Sequence, residues 1–121
     1  MITVLNGFPG DTIAFQCSGH VTRKDYDDVL KPAVEAAFKD HKKIRLFYKV
    51  AKDFDGVDAG AAWEDFSVGV SHLFGWERVA VVTDVEWIAH SIKAFGFLMP
   101  GVVKTFPLAQ ENGAREWLAA D

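Results

Sequence analysis

Few side chains in this chain have a type and a spacing suited to catalysis. Cys17, its single cysteine, lies in an alternating segment that predicts the buried face of a strand, where a thiol serves as a small core group. The histidines His20, His41, His72 and His90 are scattered, with no i,i+4 pair and no cysteine partner to build a zinc site. Phosphate-binding glycine loops and a G-x-S-x-G nucleophile motif are also missing. We therefore expect a non-enzymatic protein with no cofactor and no metal site.

Carboxylates come together in one segment, D-F-D-G-V-D, which contains Asp53, Asp55 and Asp58. A calcium loop is a poor match, because Gly56 comes too early for the EF-hand pattern. We interpret Asp58 as the cap of the next helix. The alternative is that these three aspartates form a protein-docking loop. Asp84 follows a central strand at a position where open α/β sheets place ligands, which leaves an enzymatic role or a capping role open.

The more informative side chains are apolar and lie on two predicted helices, 58–75 and 86–99. Each helix has a wide apolar arc, and one strand connects them, so we expect them to lie side by side on one sheet face. The arcs indicate either a filled core or an apolar ligand site. The predicted ligand-binding residues are Trp63, Phe66, Val70, Trp87, Ile88, Ile92 and Phe95. Phe97, Leu98 and Met99 remain as a predicted membrane or homodimer contact.

The hydrophobic periods predict the elements that position these residues. Their order is β-β-α-β-α-β-α-β-α, in a single α/β domain over residues 1–121. Strand and helix alternation predicts a mostly parallel sheet with helices on both faces and an antiparallel N-terminal edge strand. The first helix begins at Thr22, with Asp25 completing a capping box, and Pro32 bends or divides it.

Composition limits the partners. The net charge is −4 and the basic residues are dispersed, so the chain offers no basic patch for nucleic acid. No apolar run reaches the roughly 18 residues of a spanning helix, and the N-terminus does not resemble a secretory signal. A single cysteine favours a reducing compartment. We expect a cytoplasmic protein. A second expectation is peripheral membrane contact through the 86–99 helix.

Three segments carry a family resemblance. A-A-W-E-D-F at 61–66, F-G-W-E-R-V-A-V-V-T-D at 74–84 with Trp87 after it, and V-K-T-F at 103–106 resemble the SpoIIAA-like family of small bacterial proteins. That resemblance implies the fold of STAS domains and a relation to the lipid-holding CRAL-TRIO domains. In anti-anti-sigma factors of the STAS type, a phosphorylatable serine opens the helix after the third strand. The corresponding segment here, 53–60, contains neither serine nor threonine.

These observations predict a binding module for an apolar small molecule or a lipid, held between helices 58–75 and 86–99. The alternative is a regulatory protein-interaction module of STAS type that lacks the phosphorylatable serine.

Overall fold

The computed structural model describes residues 1–58, 75–96 and 102–120, except for the side chains of 94–96. The strands are β1 (Ile2–Val4), β2 (Thr12–Cys17), β3 (His20–Val21), β4 (Ile44–Val50), β5 (Gly56–Val57), β6 (Trp76–Val82) and β7 (Val102–Phe106). The helices are α1 (Arg23–Asp25), a π-helical segment (Tyr26–Leu30), α2 (Lys31–Asp40), α3 (Glu86–Gly96), a 3-10 turn (Leu108–Gln110) and α4 (Glu111–Ala119). The predicted helix 58–75 lies outside the described residues, apart from its two ends, and so does the end of helix 86–99.

Five strands form the main sheet in the order β1-β2-β4-β6-β7. β1 is antiparallel to β2, and all the other pairs in this sheet are parallel. The predicted mixed sheet with an antiparallel N-terminal edge strand is therefore confirmed. β3 and β5 form a separate parallel pair that the sequence did not predict, because two residues each are too few to show a period.

The two faces of the sheet carry separate apolar cores. The register aligns Phe15, Tyr48 and Val81 on one face, called here the cavity face, which the π-helical segment, α2 and α3 cover. The opposite face, called here the α4 face, carries Ala14, Phe47 and Ala80 against Ala114 and Leu118 of α4. Alternation along each strand produces this separation, since successive side chains point to opposite faces. Helices on both faces are thus confirmed.

The first helical region begins as its sequence predicts. The Thr22 amide donates to Asp25 Oδ2 at 2.8 Å, and the Asp25 amide donates to Thr22 Oγ1 at 3.3 Å. This reciprocal pair is a capping box. The interruption predicted at Pro32 takes the form of the π-helical segment directly before α2, which puts the proline into the first turn of α2, where no amide donor is needed.

Candidate functional site

A cavity of about 310 Å³ lies between the cavity face and its covering helices. Its floor is formed by side chains of three central strands, among them Phe15, Leu46, Tyr48, Val79 and Val81. Leu30 and Val34 line it from the first helical region, and Ile88 and Ile92 line it from α3. The volume is at the lower end of small-molecule sites, which span about 300–1,000 Å³ and are mostly apolar.

The predicted ligand-binding residues are only partly within the described part of the chain. Trp87, Ile88 and Ile92 all line the cavity, so α3 supplies the wall that its apolar arc suggests. Outside the described residues lie Trp63, Phe66, Val70, Phe97, Leu98 and Met99, together with the side chain of Phe95. Ligand contact by any of these residues stays a prediction.

The rim of the cavity is aromatic. Trp87 is 57% exposed although it lines the cavity, and its ring lies 6.5 Å from that of Phe54. Phe54 and Val57 come from the loop and short strand that follow β4, and they also line the cavity. Both sides of this rim follow the carboxyl ends of central strands, where open α/β sheets bind their ligands.

Three polar groups meet within the cavity at the same end of the sheet. The Cys17 thiol donates to Tyr48 Oη at 3.0 Å, and the Tyr26 and Tyr48 hydroxyl oxygens lie 3.0 Å apart. Cys17 is buried, as predicted, with 1% of its surface exposed. Sequence reasoning missed the tyrosines as site residues. The available signal was that each lies on an apolar stripe, where a buried phenol needs a hydrogen-bond partner.

Trp76 lines the cavity from the first position of β6. It is 4% exposed, and within the described part of the chain its Nε1–H has no hydrogen-bond partner. Phe38 packs against the indole almost perpendicularly, with ring centroids 5.0 Å apart. The predicted strand began at Arg78, so Trp76 was missed as a cavity residue.

The acidic loop 53–58 contacts a histidine that the sequence did not connect with it. His20 Nε2 lies 2.5 Å from Asp58 Oδ1, and His20 Nδ1 lies 3.4 Å from Asp55 Oδ1. The hydrogen bond to Asp58 is the main cause that raises the pKa of His20. Asp53 is exposed. Asp55 and Asp58 therefore hold β5 beside β3, while protein docking through this loop stays a prediction.

Asp84 binds backbone within the chain. Its Oδ1 accepts a hydrogen bond from the Leu108 amide at 2.9 Å, which fixes the start of the 3-10 turn before α4. Thr83 Oγ1 accepts from the Val85 amide at 3.0 Å. Asp84 therefore joins the end of β6 to the start of this turn, and an enzymatic role for it stays a prediction.

Neither a metal-binding cluster nor a membrane-spanning helix occurs in the described ranges 1–58, 75–96 and 102–120. No three His, Cys, Asp or Glu side chains there are arranged to hold a metal ion. In the same ranges, none of the helices has the length and hydropathy needed to cross a bilayer.

Comparisons with known proteins bear on the family. The SpoIIAA-like family model matches residues 12–119. A crystal structure of an uncharacterised DUF3478 family protein with a SpoIIAA-like fold, from Shewanella loihica PV-4, superposes with a TM-score of 0.77 at 26% identity. The match covers 98% of this chain and 94% of that one. None of the curated proteins compared with this chain matches it. Because the family model spans most of the sequence, this chain belongs to the SpoIIAA-like family.

Proposed function

We propose that this protein is a non-enzymatic binding module that takes an apolar small molecule or lipid chain into the cavity between the sheet and α3. The observation that carries the proposal is the cavity itself, about 310 Å³ in volume and lined mainly by aliphatic and aromatic side chains. Concave, mostly apolar spaces of this size are where proteins commonly hold small molecules.

The rim supports a route of entry. Trp87 is more than half exposed and Phe54 lies next to it, so an apolar ligand meets aromatic surface before it reaches the interior. Transfer of each buried methylene from water contributes about 0.8 kcal/mol, which favours a chain over a compact polar molecule. Peripheral membrane contact fits the same rim, since tryptophan is favoured at lipid interfaces.

The experiment is displacement of a fluorescent fatty-acyl probe by apolar competitors, combined with mass spectrometry of an organic extract of the purified protein. Ile92→Trp narrows the cavity, and Leu108→Trp is its matched control because Leu108 is also half-buried but packs on the α4 face. We expect at least tenfold weaker probe binding for Ile92→Trp and unchanged binding for the control. Circular dichroism checks that both variants fold. A wild-type protein that binds no probe and yields no extractable ligand would overturn the proposal.

The regulatory alternative uses the acidic side chains of the loop 53–58, whose Phe54 and Val57 line the cavity. Asp55 and Asp58 already have an intramolecular partner in His20, so a docking partner would compete with that contact. Asp55→Ala and Asp58→Ala test this alternative, because only a docking function predicts loss of a captured protein without any change in probe binding.

A further inference from the structure

We propose that the loop 53–58 is a pH-sensitive gate of the cavity, closed while the imidazolium of His20 bridges Asp55 and Asp58 and loosened when that ring loses its proton. An apolar ligand would then be retained in mildly acidic conditions and released more rapidly in alkaline ones. The inference rests on the proposed function and adds the regulation of the same cavity.

The loop carries part of the cavity wall. Phe54 and Val57 are half-buried and both line the cavity. Each is directly followed in the chain by an exposed aspartate, Asp55 or Asp58. The Phe54 ring lies 6.5 Å from that of Trp87 on α3, so the loop and α3 form the two sides of the rim. Outward movement of the loop would therefore widen the entrance to the cavity.

The backbone pairing that holds this loop is short. β3 and β5 pair over two residues each. The Asp55 amide donates to the Gly19 carbonyl, and the Asp58 amide donates to the Val21 carbonyl, at 2.9 Å in both cases. An isolated pair of strands is marginally stable at best in water. The side-chain contacts of His20 with the two aspartates therefore contribute to keeping the loop on β3.

These side-chain contacts need both ring protons of His20. Nε2 lies 2.5 Å from Asp58 Oδ1, and Nδ1 lies 3.4 Å from Asp55 Oδ1. An ionised carboxylate only accepts hydrogen bonds, and only the imidazolium has a donor on each ring nitrogen. A neutral ring that keeps its proton on Nε2, facing the closer carboxylate, turns the lone pair of Nδ1 towards Asp55. Loss of one proton thus replaces an attraction with a repulsion.

The charged groups around His20 come from three described segments. Asp55 and Asp58 face its ring, and the N-terminal ammonium group of Met1 donates to its backbone carbonyl at 2.9 Å. The same ammonium group lies 3.5 Å from Asp25 Oδ2 in α1. The hydrogen bond to Asp58 raises the pKa of His20 above 6.5. An N-terminal amine also titrates at mildly alkaline pH, so the experiment must separate the two groups.

The experiment measures how fast a neutral fluorescent acyl ester leaves the cavity at about pH 5.5 and at about pH 9, on either side of the histidine titration. An ester is used because its own charge does not change with pH. For the wild type we expect release to be about twofold to fivefold faster at the alkaline pH, as an exposed ion pair predicts. His20→Gln has no titrating ring and should release the probe equally fast at both. His90→Gln, which changes an exposed histidine of α3, is the matched control and should keep the wild-type difference.

A second variant restores the contact that deprotonation removes. Asp55→Asn keeps the size of the side chain and supplies an amide donor for the lone pair of Nδ1, so its gate should stay closed at alkaline pH. We expect its release rate at about pH 9 to be as slow as that of the wild type at about pH 5.5. A variant that merely failed to fold would release the probe faster at both.

The wild type also gives a readout that needs no substitution. If the closed gate retains the ligand, the bound ligand must in turn favour the protonated ring, so the NMR titration midpoint of His20 should rise when the probe is bound.

Four results would overturn this inference and leave the proposed function standing. They are equal release rates of the wild type at the two pH values, a pH dependence that His20→Gln retains or His90→Gln loses, rapid alkaline release from Asp55→Asn, and a His20 midpoint that the probe leaves unchanged. A wild-type protein that binds no probe at either pH would instead overturn the proposed function, and the inference with it.

Discussion

The hydroxyl oxygens of Tyr26 and Tyr48 lie 3.0 Å apart within the cavity, although the two residues are 22 positions apart in the chain. Tyr26 belongs to the π-helical segment, and Tyr48 belongs to the central strand β4. Tyr48 Oη also accepts the hydrogen bond from the Cys17 thiol. Tyr48 is therefore the shared member of a network that joins the helical layer to two strands of the sheet.

The first prediction concerns this network. Tyr48→Phe removes the hydroxyl that both partners use, so we expect the free energy of unfolding to fall by about 1–2 kcal/mol. Tyr26→Phe removes the hydroxyl that meets Tyr48 and should cost about 1 kcal/mol. Because the two changes delete the same hydrogen bond, the double variant should lose less than the sum of the single losses. Urea denaturation measures all three variants, and strictly additive losses would contradict the coupling.

The second prediction concerns the close approach of Phe38 to Gly75. Gly75→Ala places a methyl group where the Phe38 ring lies, and that ring also supports Trp76. Overpacking of this kind costs about 1–3 kcal/mol, and we expect a loss of unfolding free energy in that range.

Phe38→Leu is the control for this prediction. It provides space for the new methyl group, so Gly75→Ala should cost much less in a Phe38→Leu background than in the wild type. Thermal unfolding of the four proteins gives the comparison. Equal costs in the two backgrounds would show that the clash with Phe38 is not the cause.

The strands that position the cavity were readable from the sequence because their side chains alternate. The sequence predicted β7 with the bounds of the structure, Val102–Phe106, and it predicted the end of β2 to within one residue. The alternation that put Phe15 and Cys17 on one face also places them beside the cavity. Local periodicity is sufficient to predict these strands and their buried faces, since one buried face fixes the register of a strand.

The features that could not be predicted depend on contacts between distant segments. His20 and Asp58 are 38 positions apart and meet because β3 pairs with β5, two strands too short to show a period. Trp76 comes before the apolar run of β6, so it was not included in the predicted strand. Pairing between distant segments determines these contacts, and no local sequence pattern predicts that pairing.

The third prediction is a pH dependence at His20. Asp58 and Asp55 face its ring, and the N-terminal ammonium group donates to its backbone carbonyl at 2.9 Å. The hydrogen bond to Asp58 raises the pKa of His20 above its ordinary value of 6.5. The stabilisation is therefore complete below the unfolded pKa and is lost as pH rises through the higher folded pKa. We expect the β3–β5 pair to loosen over that interval.

Two NMR measurements check this pH dependence. The His20 ring resonances should titrate above the ordinary histidine pKa, and Asp58→Asn should lower that midpoint. The Asp58 amide, which donates to the Val21 carbonyl at 2.9 Å, should lose protection from hydrogen exchange as pH rises, after correction for intrinsic rates. A His20 midpoint that does not move in Asp58→Asn would contradict the assignment.

The last prediction concerns two arginines of the sheet that bind the C-terminal end of α4. Arg45 Nη1 donates to the Leu118 and Ala120 carbonyls at 2.6 and 2.7 Å. Arg78 Nη1 donates to the Trp117 and Ala120 carbonyls at 2.7 Å each. The last carbonyls of a helix have no intrahelical partners and carry partial negative charge, so cations there are stabilising.

Arg45→Met keeps much of the apolar stem of the side chain and removes its hydrogen-bond donors. We expect the free energy of unfolding to fall by about 2 kcal/mol, because hydrogen bonds from charged groups are stronger than those between neutral groups. Arg78→Met should also destabilise, and the double variant should lose less than the sum because both arginines bind the Ala120 carbonyl. Arg23→Met is the control. Arg23 pairs with Asp27 one helical turn away on the surface, and an exposed i,i+4 pair contributes only about 0.5 kcal/mol. If urea denaturation showed equal losses for Arg45→Met and Arg23→Met, the contacts at the helix end would carry no special weight, and apolar packing would hold α4 on the sheet.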